Sequence, residues 1–148
     1  GAACGRVFGL LADAGCPAYL ALRYLPGVSL ERLLAARGPL GEPRALAIGL
    51  QLAGALAHLH RRGLVHHDVR PANVIVGRRG GRPHATLIDL GAAETPGRPR
   101  RRGVYGTPGH LPPERLGATP AAASPLVDIY GLGVLLQQAQ RQARAEQF

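Results

Sequence analysis

The chain has 148 residues, of which 46% are hydrophobic, so it is long and apolar enough for one domain with a core and wholesale disorder is excluded. Its apolar runs are shorter than the roughly 20 residues of a membrane-spanning helix, and its start lacks the pattern of a signal peptide, so we predict a cytoplasmic protein without a membrane segment. The net charge is +9, but all 18 basic residues are Arg, which is typical of a GC-rich coding sequence, and we expect no nucleic-acid partner.

The first quarter of the chain predicts two strands and a short helix. Apolar runs at 7–11 and 18–22 are separated by a Gly-Cys-Pro turn, and a Pro-Gly pair follows the second run. Ser29 predicts the N-cap of a helix that carries leucines on one face and ends at Gly38.

The longest helix signal begins near Pro43, a residue that suits the first turn, and stops before Gly63. Its apolar residues form two stripes at helical spacing: Leu46, Leu50, Ala53 and Ala57, and then Ile48, Leu52, Leu56 and Leu59. Because the stripes occupy two adjacent faces, we predict that this helix is largely buried.

The second half of the chain predicts strands at 74–76 and 85–88, joined by a basic turn at 77–83. Residues 91–109 are rich in Gly, Pro and Arg and have no apolar periodicity, which predicts a long exposed loop of the kind that is often functional. A last helix is predicted from 126 to about 143.

The stretch 66–73 reads HHDVRPAN and lies directly before a predicted strand. It offers a proton acceptor (Asp68), a cation (Arg70) and an oxygen ligand for a metal (Asn73) in one loop. It matches the kinase catalytic-loop pattern H-R-D-x-x-x-x-N at three of four defined positions. Asp89, followed by Leu and Gly at the end of the next strand, is a carboxylate that can reach Mg²⁺. Each of these residues alone is equally an ordinary turn or capping residue, so their order and spacing carry the meaning.

Three further stretches carry a family resemblance. Residues 106–114, GTPGHLPPE, resemble the G-T-x-x-Y-x-x-P-E end of a kinase activation segment. Residues 128–135, DIYGLGVL, resemble the D-x-x-S-L-G helix beneath the catalytic loop, and residues 23–30, RYLPGVSL, resemble the hinge of bacterial Ser/Thr kinases. Together the ordered motifs cover most of 20–136, and the chain resembles the large lobe of the eukaryotic-like (bacterial-type) Ser/Thr protein kinases.

The resemblance implies a role for each matching position. Asp68 would be the catalytic carboxylate that accepts or orients the hydroxyl proton of a protein substrate. Arg70 would contact the transferred phosphate, where the family usually has Lys; Arg keeps the charge but differs in reach. Asn73 and Asp89 would hold Mg²⁺ against ATP. The other implied residues are Leu22, Arg23, Leu25 and Ile75 around the adenine, Thr107 near the substrate, and Asp128 beneath the catalytic loop.

The implied fold class is α+β, a protein-kinase-like large lobe that is mainly helical with short strands. Residues 1–25 would be the end of the small lobe and the hinge, and residues 26–148 an incomplete large lobe. The sequence contains no G-x-G-x-x-G loop and no Lys. We therefore expect most of the small lobe to be missing, and the chain to be a fragment that transfers phosphate poorly or not at all.

One departure and two alternative functions complete these expectations. His67 stands where the family usually has Arg; because His is at most partly charged near neutral pH, we predict that activation-loop phosphorylation is not required. One alternative is a pseudokinase that serves as a binding or scaffold module. The other is a small-molecule phosphotransferase of the aminoglycoside or choline type, which shares the Asp-to-Asn loop but generally lacks the two later motifs.

Overall fold

The computed structural model describes residues 7–11, 19–95, 107, 109–115 and 124–141. The first two strands, β1 (Val7–Leu11) and β2 (Tyr19–Leu22), form an antiparallel pair with an irregular register near the start of β1. Both predicted strands are confirmed, and the predicted first residue of the second one, at position 18, lies outside the described residues.

The first helix follows local signals in the sequence. A short strand, β3 (Val28–Ser29), leads into α1 (Leu30–Arg37). The Ser29 hydroxyl accepts a hydrogen bond from the backbone N–H of Arg32 at 3.2 Å, which satisfies one of the free donors at the helix start. Gly38 ends the helix with a φ of 71°, a value that favours glycine. The predicted N-cap and helix end are therefore confirmed.

The second helix, α2 (Glu42–His60), begins and ends close to the predicted limits, but only one of its two apolar stripes is buried. The stripe of Ile48, Leu52, Leu56 and Leu59 belongs to the core. In the other stripe, Leu46 is 53% and Leu50 is 75% exposed, so the prediction of a largely buried helix is wrong. The reason is that a surface helix buries one face, and the described elements that pack on α2 are α3 (Pro125–Arg141) and β5 (Arg82–Leu87).

The second sheet has the order β3–β4–β5, with β4 (Val74–Arg79) antiparallel to both neighbours. The strands β4 and β5 are joined by Gly80 and Gly81, with φ values of 56° and 76°, a pair that suits a two-residue hairpin turn. The predicted turn at 77–83 is therefore too long. Gly77 is a strand residue, and a Cβ there would overlap the carbonyl oxygen of Pro26, so this glycine permits a close approach of two backbones.

The core lies between α1, α2, α3 and the β4–β5 hairpin. Its largest fully buried apolar side chains include Leu30, Leu52, Leu56, Leu87 and Leu135. The helix α3 confirms the predicted last helix, whose final two positions lie outside the described residues. The combination of helices with a small antiparallel sheet agrees with the predicted α+β class. The assignment to a large lobe stays a prediction. Among the described residues, no helix is long and apolar enough to cross a bilayer.

The predicted loop at 91–109 is described only at 91–95, 107 and 109. Its first part is held in place, because Glu94 and Val65 exchange two backbone hydrogen bonds of 2.8 Å. The rest of the predicted loop lies outside the described residues.

Candidate active site

The stretch 66–73 is anchored from below by one buried carboxylate. Asp128, on α3, is 1% exposed and accepts hydrogen bonds from the backbone N–H groups of His66 and His67, both at 2.8 Å. It also lies 2.7 Å from Nε2 of His60, at the end of α2. A buried carboxylate needs such donors to offset its lost hydration, and here the donors come from the loop and from a second helix.

The two histidines of the loop are buried and do different things. His66 Nδ1 accepts from the N–H of Asp68 at 3.3 Å, so its Nε2 carries the proton and donates to the carbonyl of Ile88 at 3.1 Å. His67 has a φ of 65°, in the left-handed region that L-residues rarely adopt. Such a conformation persists only where its surroundings fix it, and the hydrogen bond from His67 N–H to Asp128 does so.

The predicted catalytic residues are brought together at the other end of the loop. A single 3₁₀ turn at Pro71–Asn73 folds Asn73 back, so that its Nδ2 donates to Oδ2 of Asp68 at 2.7 Å and to the Asp68 carbonyl at 2.9 Å. Thr107 donates its hydroxyl proton to Oδ1 of Asp68 at 2.7 Å and accepts from Nη1 of Arg70 at 2.9 Å. The two oxygens of Asp68 are thus each held by one donor.

A pocket of about 600 Å³ opens beside this cluster. Arg70 and Thr107 line it together with Glu31, whose Oε1 lies 3.5 Å from Nη2 of Arg70. The Glu31 carboxylate is more than half exposed, so this ion pair contributes little to stability but leaves Arg70 oriented toward the pocket. Two members of the cluster, Arg70 and Thr107, are therefore accessible from this pocket.

Asn73 and Asp89 lie at the same end of the β4–β5 hairpin. The carbonyl of Asn73 accepts from the N–H of Ile88 at 2.9 Å, which places Asp89 one residue further along. Asp89 is exposed, has a φ of 64° and accepts from the N–H of Gly91 at 2.9 Å through Oδ1. Because the Asn73 amide nitrogen faces Asp68, its oxygen is directed away from Asp68. An amide oxygen and a carboxylate are ligands that suit Mg²⁺, so these two residues fit the metal.

The four residues predicted around adenine lie along the path from β2 to β4. Leu22 is 60% exposed and Arg23 is exposed, whereas Leu25 and Ile75 are half-buried. Ile75 packs beside Gly27, because a Cβ on that glycine would lie 3.0 Å from its side chain. Among the described residues, no hydrogen bond or ion pair links these four to Asp68.

Comparison with known proteins identifies the family. The family model described as the protein kinase domain matches residues 12–144, which is most of the chain. The chain belongs to the protein kinase family. It is 38% identical over 122 residues to the Ser/Thr-protein kinase PkaA of Streptomyces coelicolor, covering 80% of this chain and 22% of that protein.

Other relatives are similar over the same region. The Ser/Thr-protein kinase PknK of Mycobacterium tuberculosis is 37% identical over 126 residues, which are 83% of this chain and 11% of that protein. An Aurora/IPL1-related protein kinase of Caenorhabditis elegans is 32% identical over 117 residues, 79% of this chain and 37% of that protein. The chain thus spans well under half the length of these relatives.

The kinase domain contains polar partners that the sequence did not reveal. Oε2 of Glu94 lies 3.3 Å from Nε2 of His67 and 4.0 Å from Nη2 of Arg115. Burial lowers the pKa of His67; Glu94 opposes this and Arg115 adds to it. A signal for Glu94 exists, because it is the one acidic residue in the sequence 91–109. A neutral His67 offers no charge to a phosphate, but the prediction that phosphorylation is not required stays a prediction.

A second unpredicted residue is His110, which stands where the activation-segment pattern has Tyr. Its Nδ1 donates to the carbonyl of Val69 at 3.1 Å, and its Nε2 accepts from Gln138 on α3 at 3.2 Å. Burial lowers the pKa of His110, and Arg70 lowers it further. His110 therefore joins the segment after Thr107 to both the catalytic loop and α3. The signal that could have found it is the departure from Tyr.

Proposed function

We propose that this kinase domain transfers a phosphoryl group from Mg-ATP to a serine or threonine hydroxyl of a protein substrate. One observation carries the proposal: Asp68 is held by Asn73 and Thr107, and Thr107 is held in turn by Arg70. Phosphoryl transfer depends mainly on positioning and on charge stabilisation, so a fixed carboxylate beside a guanidinium is suitable equipment for it.

Asp68 is the proposed acceptor of the substrate proton. Its carboxylate is oriented before substrate arrives, because Oδ1 and Oδ2 each accept one hydrogen bond of 2.7 Å. An acceptor hydroxyl beside Asp68 gives up its proton to the carboxylate as its oxygen bonds to the transferred phosphorus and the bond to the ADP oxygen breaks. Arg70, which lines the pocket beside this cluster, would offset the negative charge of the phosphoryl group.

Asn73 and Asp89 are the residues that would hold Mg²⁺. The support is their common position at one end of the hairpin and the direction of the Asn73 amide oxygen away from Asp68. When bound, the metal supplies charge neutralisation at the phosphate oxygens. The protein's own part is to present an amide directly before β4 and a carboxylate two residues after β5, at the same end of the hairpin.

The nucleotide is proposed to meet the path from β2 to β4. The backbone of Arg23 and Leu25 would face the adenine, with Leu22 behind it and Ile75 beneath it. Because the 148 residues contain neither Lys nor a G-x-G-x-x-G loop, we propose that by themselves they transfer phosphate slowly or not at all. The division at residue 25, the cytoplasmic location and the absence of a nucleic-acid partner stay predictions.

Titration of a fluorescent ATP analogue with and without Mg²⁺ tests the site directly. We expect Mg²⁺ to strengthen binding about tenfold, which corresponds to roughly 1.4 kcal/mol. Asp89→Asn should remove most of this Mg²⁺ effect, whereas Glu42→Gln, an exposed acidic residue at the start of α2, should keep it. Binding that ignores Mg²⁺ in the unaltered chain would contradict the proposed metal site and favour a scaffold module.

Transfer is tested with radiolabelled ATP. Any labelling of serine or threonine in an acceptor protein should be slow, and it should be lost in Asp68→Asn. Labelling of an aminoglycoside or of choline in preference to protein would favour the small-molecule phosphotransferases instead.

A further inference from the structure

A second groove, of about 570 Å³, lies between α2 and the β4–β5 hairpin. It shares no lining residue with the pocket beside Arg70 and Thr107. Its lining is unusual in charge, because it contains three arginines, two histidines and no acidic residue. We define the basic groove by six of its residues, which are Leu50, Gly54, Arg61, Arg79, Arg82 and His84.

The walls of the basic groove are fixed relative to each other. Gln51 on α2 accepts a hydrogen bond from the backbone N–H of Ala85 on β5 at 2.9 Å, and its amide nitrogen donates to the carbonyl of Ala47 at 3.2 Å. Between the walls there is space, because a Cβ on Gly54 would meet nothing within 4 Å. The groove is thus a preformed feature with an open floor.

The cations of the basic groove lack internal counter-charges. Arg79 and Arg82 are directly opposite each other across the hairpin, an arrangement that is unfavourable for like charges. Within the described part of the chain, neither they nor Arg61 form a salt bridge. His58 also lines the groove, and its pKa is lowered by desolvation, then by Arg62 outside the groove, and then by Arg61. A bound anion would relieve this repulsion.

We propose that the basic groove binds an acidic peptide segment of a partner protein that also carries an apolar side chain. The acidic groups would meet Arg79, Arg82 and Arg61 at the rim. The apolar side chain would cover Leu50, which is 75% exposed, and would fill the space beside Gly54. Charge complementarity at the rim would determine which partner binds and how fast it associates.

Two observations favour a peptide from another protein as the occupant. On the α2 side the groove is lined by Leu50, Gly54 and Ala55, which offer an apolar surface rather than hydrogen bonds to a nucleic acid. The nine acidic residues among these 148 are scattered, with no two adjacent, so this part of the protein offers no acidic run. A partner segment of Asp, Glu and Leu is therefore the matching chemistry.

Fluorescence anisotropy of a short labelled peptide of Glu and Asp with interspersed Leu tests this docking surface, with the unaltered chain and without nucleotide. Because nucleotide is left out, the result is independent of the proposed kinase activity. We expect binding that weakens at least tenfold between about 50 mM and 300 mM salt. Arg79→Thr with Arg82→Thr should weaken binding at least tenfold and at the same time raise the thermal midpoint, because the like-charge pair is gone.

Matched variants separate the groove from general charge. Arg32→Thr with Arg44→Thr removes the same charge from exposed positions outside the groove and should change the affinity less than threefold. Gly54→Leu should fill the floor and weaken binding at least tenfold, while the helix is stabilised. Equal losses in both arginine pairs, undiminished binding in Gly54→Leu, absence of binding at low salt, or tighter binding of single-stranded RNA than of the peptide would each overturn the proposal.

Discussion

The catalytic loop and the segment 22–27, which is proposed to face the nucleotide, are held by different forces. The loop is buried and polar: Asp128 binds its two histidines from below, and Asn73 and Thr107 hold Asp68 from above. The segment 22–27 is exposed, with Leu22 at 60% and Tyr24 at 84%, and its clearest contact is the packing of Gly27 on the β4 backbone.

This difference separates two tasks within one site. The residues proposed to act on the transferred group are oriented by the protein itself, which is the preorganisation that electrostatic catalysis requires. The residues proposed to face the adenine have few internal partners among the described residues, so their conformation would depend more on a bound nucleotide. Substitutions in the two regions test this contrast.

The strongest test is Asp128→Asn. It removes the charge and turns one acceptor into a donor that faces the N–H groups of His66 and His67. We expect a loss of about 3 kcal/mol in the free energy of unfolding, measured with urea. The matched variant Asp89→Asn alters an exposed carboxylate and should change stability by less than about 0.5 kcal/mol. Equal effects of the two variants would contradict the anchoring role of Asp128.

Asn73→Ala tests the upper end of the loop. It removes both hydrogen bonds that the Asn73 amide donates to Asp68, one of them to a charged group. We expect the free energy of unfolding to fall by about 1.5–3 kcal/mol. Gln140→Ala, which truncates an exposed amide on α3, serves as the control and should stay within about 0.5 kcal/mol. A loss no larger than that of the control would show that the loop is held without Asn73.

The pH dependence of stability tests the buried histidines. Burial lowers the pKa of His67 and of His110 in the folded chain below the ordinary value of about 6.5. Below that value the unfolded chain binds more protons than the folded one, so stability should rise as the pH increases from about 5 to 7. His67→Asn, which tolerates the left-handed backbone, should flatten this rise in urea titrations across the range. A fall in stability over the same interval would be the contrary outcome.

Leu22→Ala should give the smallest change in stability. Since the side chain is already 60% exposed, we expect a loss below about 0.5 kcal/mol, whereas Leu52→Ala in the core should lose about 2–5 kcal/mol. Binding of the fluorescent ATP analogue should nevertheless weaken severalfold in Leu22→Ala. Unchanged nucleotide binding would show that Leu22 does not face the adenine.

Local signals were sufficient for much of the fold. Ser29 and Gly38 mark the two ends of α1, and each does so through contacts with residues only a few positions away. The sequence therefore shows each of these residues beside its partners. The prediction that a turn begins at Gly77 was wrong. This glycine lies in β4 and permits the close approach of the Pro26 backbone, fifty-one residues earlier, and no local pattern shows such an approach. The exposure of Leu50 was missed for a related reason: periodicity identifies an apolar face but not whether another element covers it.

The candidate site divides in the same way. The family pattern predicted the positions of Asp68, Asn73 and Asp89, and the structure places all three at one end of the hairpin and loop. The family pattern could not predict the contacts of Glu94 or His110, because their partners come from segments that are distant in the sequence. Glu94 lies near His67 because its own segment is paired with Val65.

The anchoring carboxylate also has a consequence for synthesis and folding. Asp128 is separated by 61 and 62 residues from the two N–H groups it binds, and by 68 residues from His60. The loop therefore leaves the ribosome long before the residue that shapes it. Contacts of such sequence separation form late, after the intervening chain has closed on itself. A nascent domain halted before α3 would contain every proposed catalytic residue but would lack the carboxylate that fixes the geometry of the loop. Docking of α3 would therefore be the step that orders the site.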